Sequence, residues 1–199
     1  MKPITISVLT VCGVEELPGH AARNVTHVLT LIDPGTPDIA AFAAYDDHHR
    51  RIMQFHDIIE PAEGKIMPSF EHVAEILAFG EELAASRNSR QDGHLLVHCY
   101  MGVSRSTAAM LSLLAQVHPE EAEERLFQRL REIRPQAWPN SVMVGHADAQ
   151  LGRGGRLIEA LKRHYGWQLR RDPRFYDWMA GLGRQREIDM ALGAVHFYF

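Results

Sequence analysis

Residues 95–106, Leu-Leu-Val-His-Cys-Tyr-Met-Gly-Val-Ser-Arg-Ser, constrain this chain more than any other stretch. Leu95-Leu96-Val97 has the pattern of a short buried strand. Thr107 to Val117 is apolar nearly all round, the pattern of a buried helix. The loop between them begins at a cysteine and ends at an arginine. A tight turn from strand to helix converges its backbone N–H groups on one point, and the unpaired N–H groups of the helix start aim the same way. A doubly charged oxyanion fits there. Arg105 can grip it with two parallel hydrogen bonds, a geometry that lysine lacks. Cys99 lies beneath the anion, where the same dipoles favour a thiolate. Taken singly, Cys99 would read as a packed core thiol and Arg105 as an exposed helix-start residue. Their joint placement around one loop makes an anion cradle with its own nucleophile the stronger reading.

The stretch resembles the His-Cys-x5-Arg-Ser/Thr signature loop of the cysteine-based protein tyrosine phosphatases, above all their dual-specificity branch. His98, Cys99, Gly102, Arg105 and Ser106 carry the match. A second pattern, Arg134-Pro135-x-Ala137-x-Pro139-Asn140, resembles the segment that follows the signature helix in that branch. The resemblance covers residues 50–151 well, the first strands in outline, and the last forty or so residues not at all. It implies an α/β fold: a central, mostly parallel sheet of four to five strands flanked by helices. A catalytic domain over residues 1–152 is expected, with a helical C-terminal extension over 153–199 packed on it.

The implied reaction is hydrolysis of a phosphate monoester through a cysteinyl-phosphate. Cys99 is the nucleophile. Arg105 and the loop formed by Tyr100, Met101, Gly102, Val103 and Ser104 bind the phosphate, and His98 supports the strand end. Ser106 hydrogen-bonds the sulfur and eases its departure in the second step; as a residue type it also suits a helix N-cap. An alcohol or phenol leaves phosphorus slowly unless its oxygen is protonated. The family places that proton donor, an aspartic acid, on a loop after an upstream strand. Asp57 is the choice here, with Asp33, Asp46, Asp47 and Glu60 as competitors; the insert Glu60 to Pro68 takes up a longer interval before Cys99 than the family commonly shows. No cofactor or metal is needed. The absence of lysine between Tyr100 and Ser104 favours a phosphoprotein substrate, with phosphotyrosine and, in this branch, phosphoserine or phosphothreonine. Two other readings remain: a phosphate-binding module without turnover, and a rhodanese- or arsenate reductase-like oxyanion enzyme.

Composition narrows the setting. A formal charge of −4 does not suggest a nucleic-acid binder, whose footprint would be a basic face. No run approaches the ~18 apolar residues of a membrane span, and Met1 to Thr5 lacks a signal-peptide pattern. A nucleophilic thiolate and two cysteines, Cys12 and Cys99, fit a reducing, cytoplasmic compartment. Cys12 reads as a packed thiol, and a redox partnership with Cys99 depends on their meeting in the fold. Oligomeric state is not encoded in any pattern here.

Along the chain, strands are expected at Ile4–Val11, Val25–Ile32, Ile52–Phe55 and His94–His98, and short helical turns near Glu15–Ala22 and Pro37–Tyr45. Asp46 to Arg51 reads as a solvated loop. Helices are expected from Phe70 to about Ser86, from Pro119 to Ile133 and from Ser141 to Leu151, with a polar loop over Arg87–Gly93. Gly152-Arg153-Gly154-Gly155 follows a helix, so it reads as a helix end and turn rather than a phosphate loop. Two or three helices should follow it, rich in aromatics from Tyr165 to Phe199.

Overall fold

The computed structural model describes residues 6–85 and 93–195. Ile4, Thr5, the loop Arg87–Asp92 with Ser86, and the aromatic residues Phe197, Tyr198 and Phe199 lie outside the described residues. Four strands form one wholly parallel sheet: β1 (Ile6–Cys12), β2 (His27–Ile32), β3 (His49–Gln54) and β4 (Gly93–His98), in the order β1-β4-β2-β3. Parallel strands bring all their carboxyl ends to one edge. There the chain delivers Gly13, Asp33, Asp57 and Cys99, each within three residues of a strand end.

The sheet is buried on both faces because its strands alternate. Val28, Ile32, Leu96 and Cys12 pack with Leu17 and Phe42, carried by two short 3-10 segments, Val14–His20 and Ala40–Ala44, and with Ile39, which caps the second. Val11, Leu29, Leu31, Leu95 and Val97 pack on the opposite side, against the helices. Those helices are α1 (Phe70–Ala85), α2 (Arg105–Val117), α3 (Glu123–Ile133) and α4 (Ser141–Gln150), followed by α5 (Arg156–Arg171), α6 (Arg174–Gly181) and α7 (Gln185–Val195). Every residue of α2 from Arg105 to Ala115 is buried, so the central helix that follows the cysteine loop is held on all sides. Trp138, fully buried, is the junction with the last helices. It stacks on Tyr165 of α5 with ring centroids 4.3 Å apart and donates its indole N–H to Glu187 of α7 at 2.7 Å.

Two local expectations are corrected. Residues 49–51 are not a solvated loop but the start of β3. As an edge strand, β3 can carry long charged side chains that lie along the sheet: Arg50 lies 4.1 Å over the Phe42 ring and pairs with Asp38, and Arg51 forks onto Glu82. The third helix begins at Glu123, not Pro119. The intervening turn surrenders the His118 and Glu121 carbonyls to the buried guanidinium of Arg153, which also takes Ala115 O. Phe70, at the first turn of α1, is about half exposed.

Replacing Trp138 by alanine removes both the stacked ring and the indole donor. We expect a loss of about 3–5 kcal/mol in urea unfolding, with Glu187 left short of a partner.

Candidate active site

The cradle is built by saturating one side of a loop. Tyr100 O accepts from Val14 N at 2.9 Å, Met101 O from Arg134 Nη2 at 3.1 Å, Gly102 O from Arg134 Nε at 2.9 Å, and Val103 O from Trp138 N at 2.9 Å. Ser104 O accepts from Ala108 N at 3.0 Å. In a planar trans peptide the N–H lies opposite the carbonyl. Carbonyls committed outward therefore turn the N–H groups of residues 101 to 105 inward. Arg134 is itself fixed by a two-pronged ion pair with Glu16 at 2.7 and 2.8 Å, and Glu16 also receives Gly13 N–H at 2.6 Å. Gly102 has φ +67°, and a Cβ there would stand 2.3 Å from the carbonyl carbon of Cys12. Only glycine fits both the conformation and the space.

Cys99 is buried at the floor, its Sγ 3.1 Å from the Ser106 hydroxyl. Arg105 is 2% exposed; its Nη1 donates to Asp33 Oδ1 at 2.7 Å and to Phe55 O, while its Nε is buried with no hydrogen-bond partner. Asp57 stands beside the loop. Its Oδ1 accepts from Ser104 Oγ at 2.8 Å, Asn140 Nδ2 at 3.0 Å and Arg184 at 2.5 Å. Burial opposes its charge, but the Arg184 and Arg105 guanidiniums and these hydrogen bonds outweigh that, holding the carboxyl below its usual range. Cys99, Asp57 and Arg105 line one cleft of about 270 Å³, walled also by Asp33, His56, Tyr100, Met179, Leu182 and Arg184.

No family model matches the chain. Among curated proteins it is 23% identical over 153 residues to protein phosphatase Slingshot of Drosophila melanogaster, covering 75% of this chain and 12% of that protein. It is 26% identical over 121 residues to dual specificity protein phosphatase 1 of Arabidopsis thaliana, covering 61% and 52%. The chain thus spans about half or less of the length of these two relatives. Among solved structures, the Yvh1 phosphatase domain of Chaetomium thermophilum superposes with TM-score 0.50 at 24% identity, over 75% of this chain and 93% of that one. Human DUSP28 gives 0.54 at 16%, over 77% and 96%. The chain is similar in sequence to dual-specificity and Slingshot-type protein phosphatases and shares the fold of the cysteine-based phosphatase domains.

In this phosphatase-like chain the fold gathers the residues singled out from sequence into one place. Of the competitors to Asp57, Asp33 lines the same cleft and pairs with Arg105; Asp46 and Asp47 line a separate hollow beside Asn24 and Tyr45; Glu60 is exposed outside the cleft. Tyr100 and Met101 project their side chains from the rim, and Tyr100 Oη lies 2.8 Å from Thr36 Oγ1. Cys12 and Cys99 are both free, and they pack into clusters on opposite faces of the sheet. Three contributors went unassigned in the sequence. Asn140 was visible within the Pro139-Asn140 pattern; its Oδ1 caps α4 at Val142 N and Met143 N, and its Nδ2 reaches Asp57. Arg134 was visible in the same pattern as a residue type, without its role behind the loop. Arg184 carried no local signal at all.

His98 is wholly buried, with Nε2 2.8 Å from Thr30 Oγ1. Burial, followed by the charge of Arg50, pushes its pKa down to about 4 from an ordinary value of 6.5. The unfolded chain therefore takes up this proton first. Stability from His98 is complete above pH 6.5 and is lost as pH falls through this window to about 4, by up to ~3 kcal/mol. Urea midpoints measured across the window should fall, and fall less in His98→Asn. Separately, Gly102→Ala should weaken binding of inorganic phosphate, read by calorimetry, by at least ~10-fold, since the loop must leave its conformation to admit a Cβ.

Proposed function

We propose that this protein hydrolyses phosphate monoesters, and that its substrates are phosphoproteins carrying phosphotyrosine, with phosphoserine and phosphothreonine admitted by a dual-specificity pocket. The observation that carries the reading is the joint placement of a buried cysteine sulfur, an inward ring of N–H groups and an arginine with an uncommitted Nε around one point, with a carboxyl alongside. A reducing, cytoplasmic setting suits such a cysteine. Among the described residues, no helix is long and apolar enough to cross a membrane.

In the proposed reaction, the Cys99 thiolate attacks phosphorus in line while Arg105 and the N–H groups hold the equatorial oxygens. Asp57, protonated, gives its proton to the leaving oxygen. The anchoring contacts of its carboxyl fall on Oδ1, which supports Oδ2 as the oxygen that transfers the proton. Water then attacks the cysteinyl-phosphate, Asp57 takes up a proton from that water, and Ser106 donates a hydrogen bond to the departing sulfur. Inorganic phosphate leaves and the thiolate is restored.

Hydrolysis of phenyl phosphate and p-nitrophenyl phosphate by wild type, Cys99→Ser and Asp57→Asn tests this. Cys99→Ser should be inactive. Asp57→Asn should lose about 10²–10⁴-fold on phenyl phosphate and much less on the activated ester. Phosphopeptide bound equally by wild type and Cys99→Ser, without turnover, would establish a binding module instead. Sulfur transfer to cyanide would establish a rhodanese-like enzyme.

A further inference from the structure

The turn between α6 and α7 enters the cleft. Gly183, at φ +71°, reverses the chain after α6, and Arg184 N bonds back to Met179 O at 2.9 Å. The Arg184 side chain is thereby directed inward, and the residue is 4% exposed. Its Nη2 makes three contacts: Asp57 Oδ1 at 2.5 Å, the Asp57 carbonyl at 2.8 Å and Ser104 Oγ at 3.2 Å. One guanidinium thus joins the loop carrying the carboxyl to the last residue of the cradle. Behind it, Arg184 Nη1 lies 3.6 Å from Glu187 Oε1. Glu187 is held in turn by Ser141 N at 2.8 Å and Trp138 Nε1 at 2.7 Å. Trp138 N closes the circuit on Val103 O of the cradle.

We infer that Arg184 is a positioning residue for Asp57, through which the last two helices set both the place of the carboxyl over the cradle and the pH range in which it can act as an acid. The inference rests on the phosphatase reading above. Several features separate it from a purely structural ion pair. The contact is to the one carboxylate oxygen that Ser104 and Asn140 also hold. It leaves the second oxygen to the cleft, and it reaches the cradle through Ser104 as well. The other charged groups facing Asp57 are Arg105 from α2, with Asp33, His56, Lys65 and Cys99 lining the same cleft; Glu187 and the Tyr165 hydroxyl stand behind Arg184. Of the two guanidiniums that favour the Asp57 anion, Arg184 makes the direct contact. Arg105 Nη1 is engaged by Asp33.

The test compares wild type, Arg184→Met, Arg184→Lys and the double variant Arg184→Met/Glu187→Gln, each checked for fold by circular dichroism. The double variant avoids leaving the buried Glu187 carboxylate without its cation. Phenyl phosphate hydrolysis is followed from about pH 4 to about pH 8, and the Asp57 carboxyl is titrated directly by carbon NMR, which needs no turnover. With the arginine charge gone, Asp57 should hold its proton to higher pH. Its NMR midpoint and the basic limb of kcat/KM should therefore rise together by about one pH unit or more. At the optimum kcat should fall more for phenyl than for p-nitrophenyl phosphate, and Arg184→Lys should restore the limb but only part of kcat. An unmoved Asp57 midpoint in the folded variants would overturn the inference, as would equal losses at every pH and for both esters. Failure of the phosphatase reading is a separate result: wild type without turnover, or turnover surviving Cys99→Ser, leaves the NMR midpoint free to decide the role of Arg184.

Discussion

Everything at this site depends on where five peptide carbonyls point. A peptide loop left to itself satisfies its carbonyls and N–H groups in water indifferently. Here the carbonyls of residues 100 to 104 are claimed by donors from β1's exit, the segment after α3 and α2 itself. The opposed N–H groups are thereby fixed before any ligand arrives. Donors fixed in advance need no reorganisation when charge develops, which is the physical content of electrostatic preorganisation. The glycine at 102 is the steric counterpart. It lets the loop lie directly on the Cys12–Gly13 backbone, so that Val14 N can reach Tyr100 O.

The same logic explains which parts were readable from the sequence. The strand, loop and helix around Cys99 are contiguous, and their period and spacing stand in the sequence itself. Strands β1, β2 and β4 of the sheet were readable because each of them carries an apolar run. The start of β3 was not, since an edge strand tolerates His49, Arg50 and Arg51 where a central strand would not. The supports of the cradle were partly legible. Arg134 and Asn140 stand in a recognisable pattern, yet their tasks are defined only by partners far away: Glu16 lies 118 residues from Arg134, and Asp57 lies 83 from Asn140. Arg184 meets the Asp57 backbone across 127 residues. No periodicity or capping rule reaches that far, because such contacts are specified by packing and not by neighbours in the chain.

Charge in the cleft is arranged in pairs. Arg105 is nearly inaccessible to water and is balanced by Asp33, whose own side chain is 38% exposed. Arg184 is equally buried and lies between Asp57 and the wholly buried Glu187. A buried cation without a partner would be costly, so each guanidinium carries a carboxylate that keeps it tolerable in the fold. The two pairs differ in what surrounds them. Asp33 is half open to solvent and holds Arg105 through one nitrogen. Phe55 O holds the same nitrogen, so Nη1 is committed while Nε is left without a hydrogen-bond partner. Glu187 is locked by an indole and a backbone N–H and cannot withdraw without exposing both. On the proposed reaction, therefore, Arg105 offers an uncommitted Nε to the phosphate, whereas Arg184 stays between its two carboxyls. On that reading one arginine keeps a donor for the phosphate, and the other keeps Asp57 in position while the phosphate is transferred.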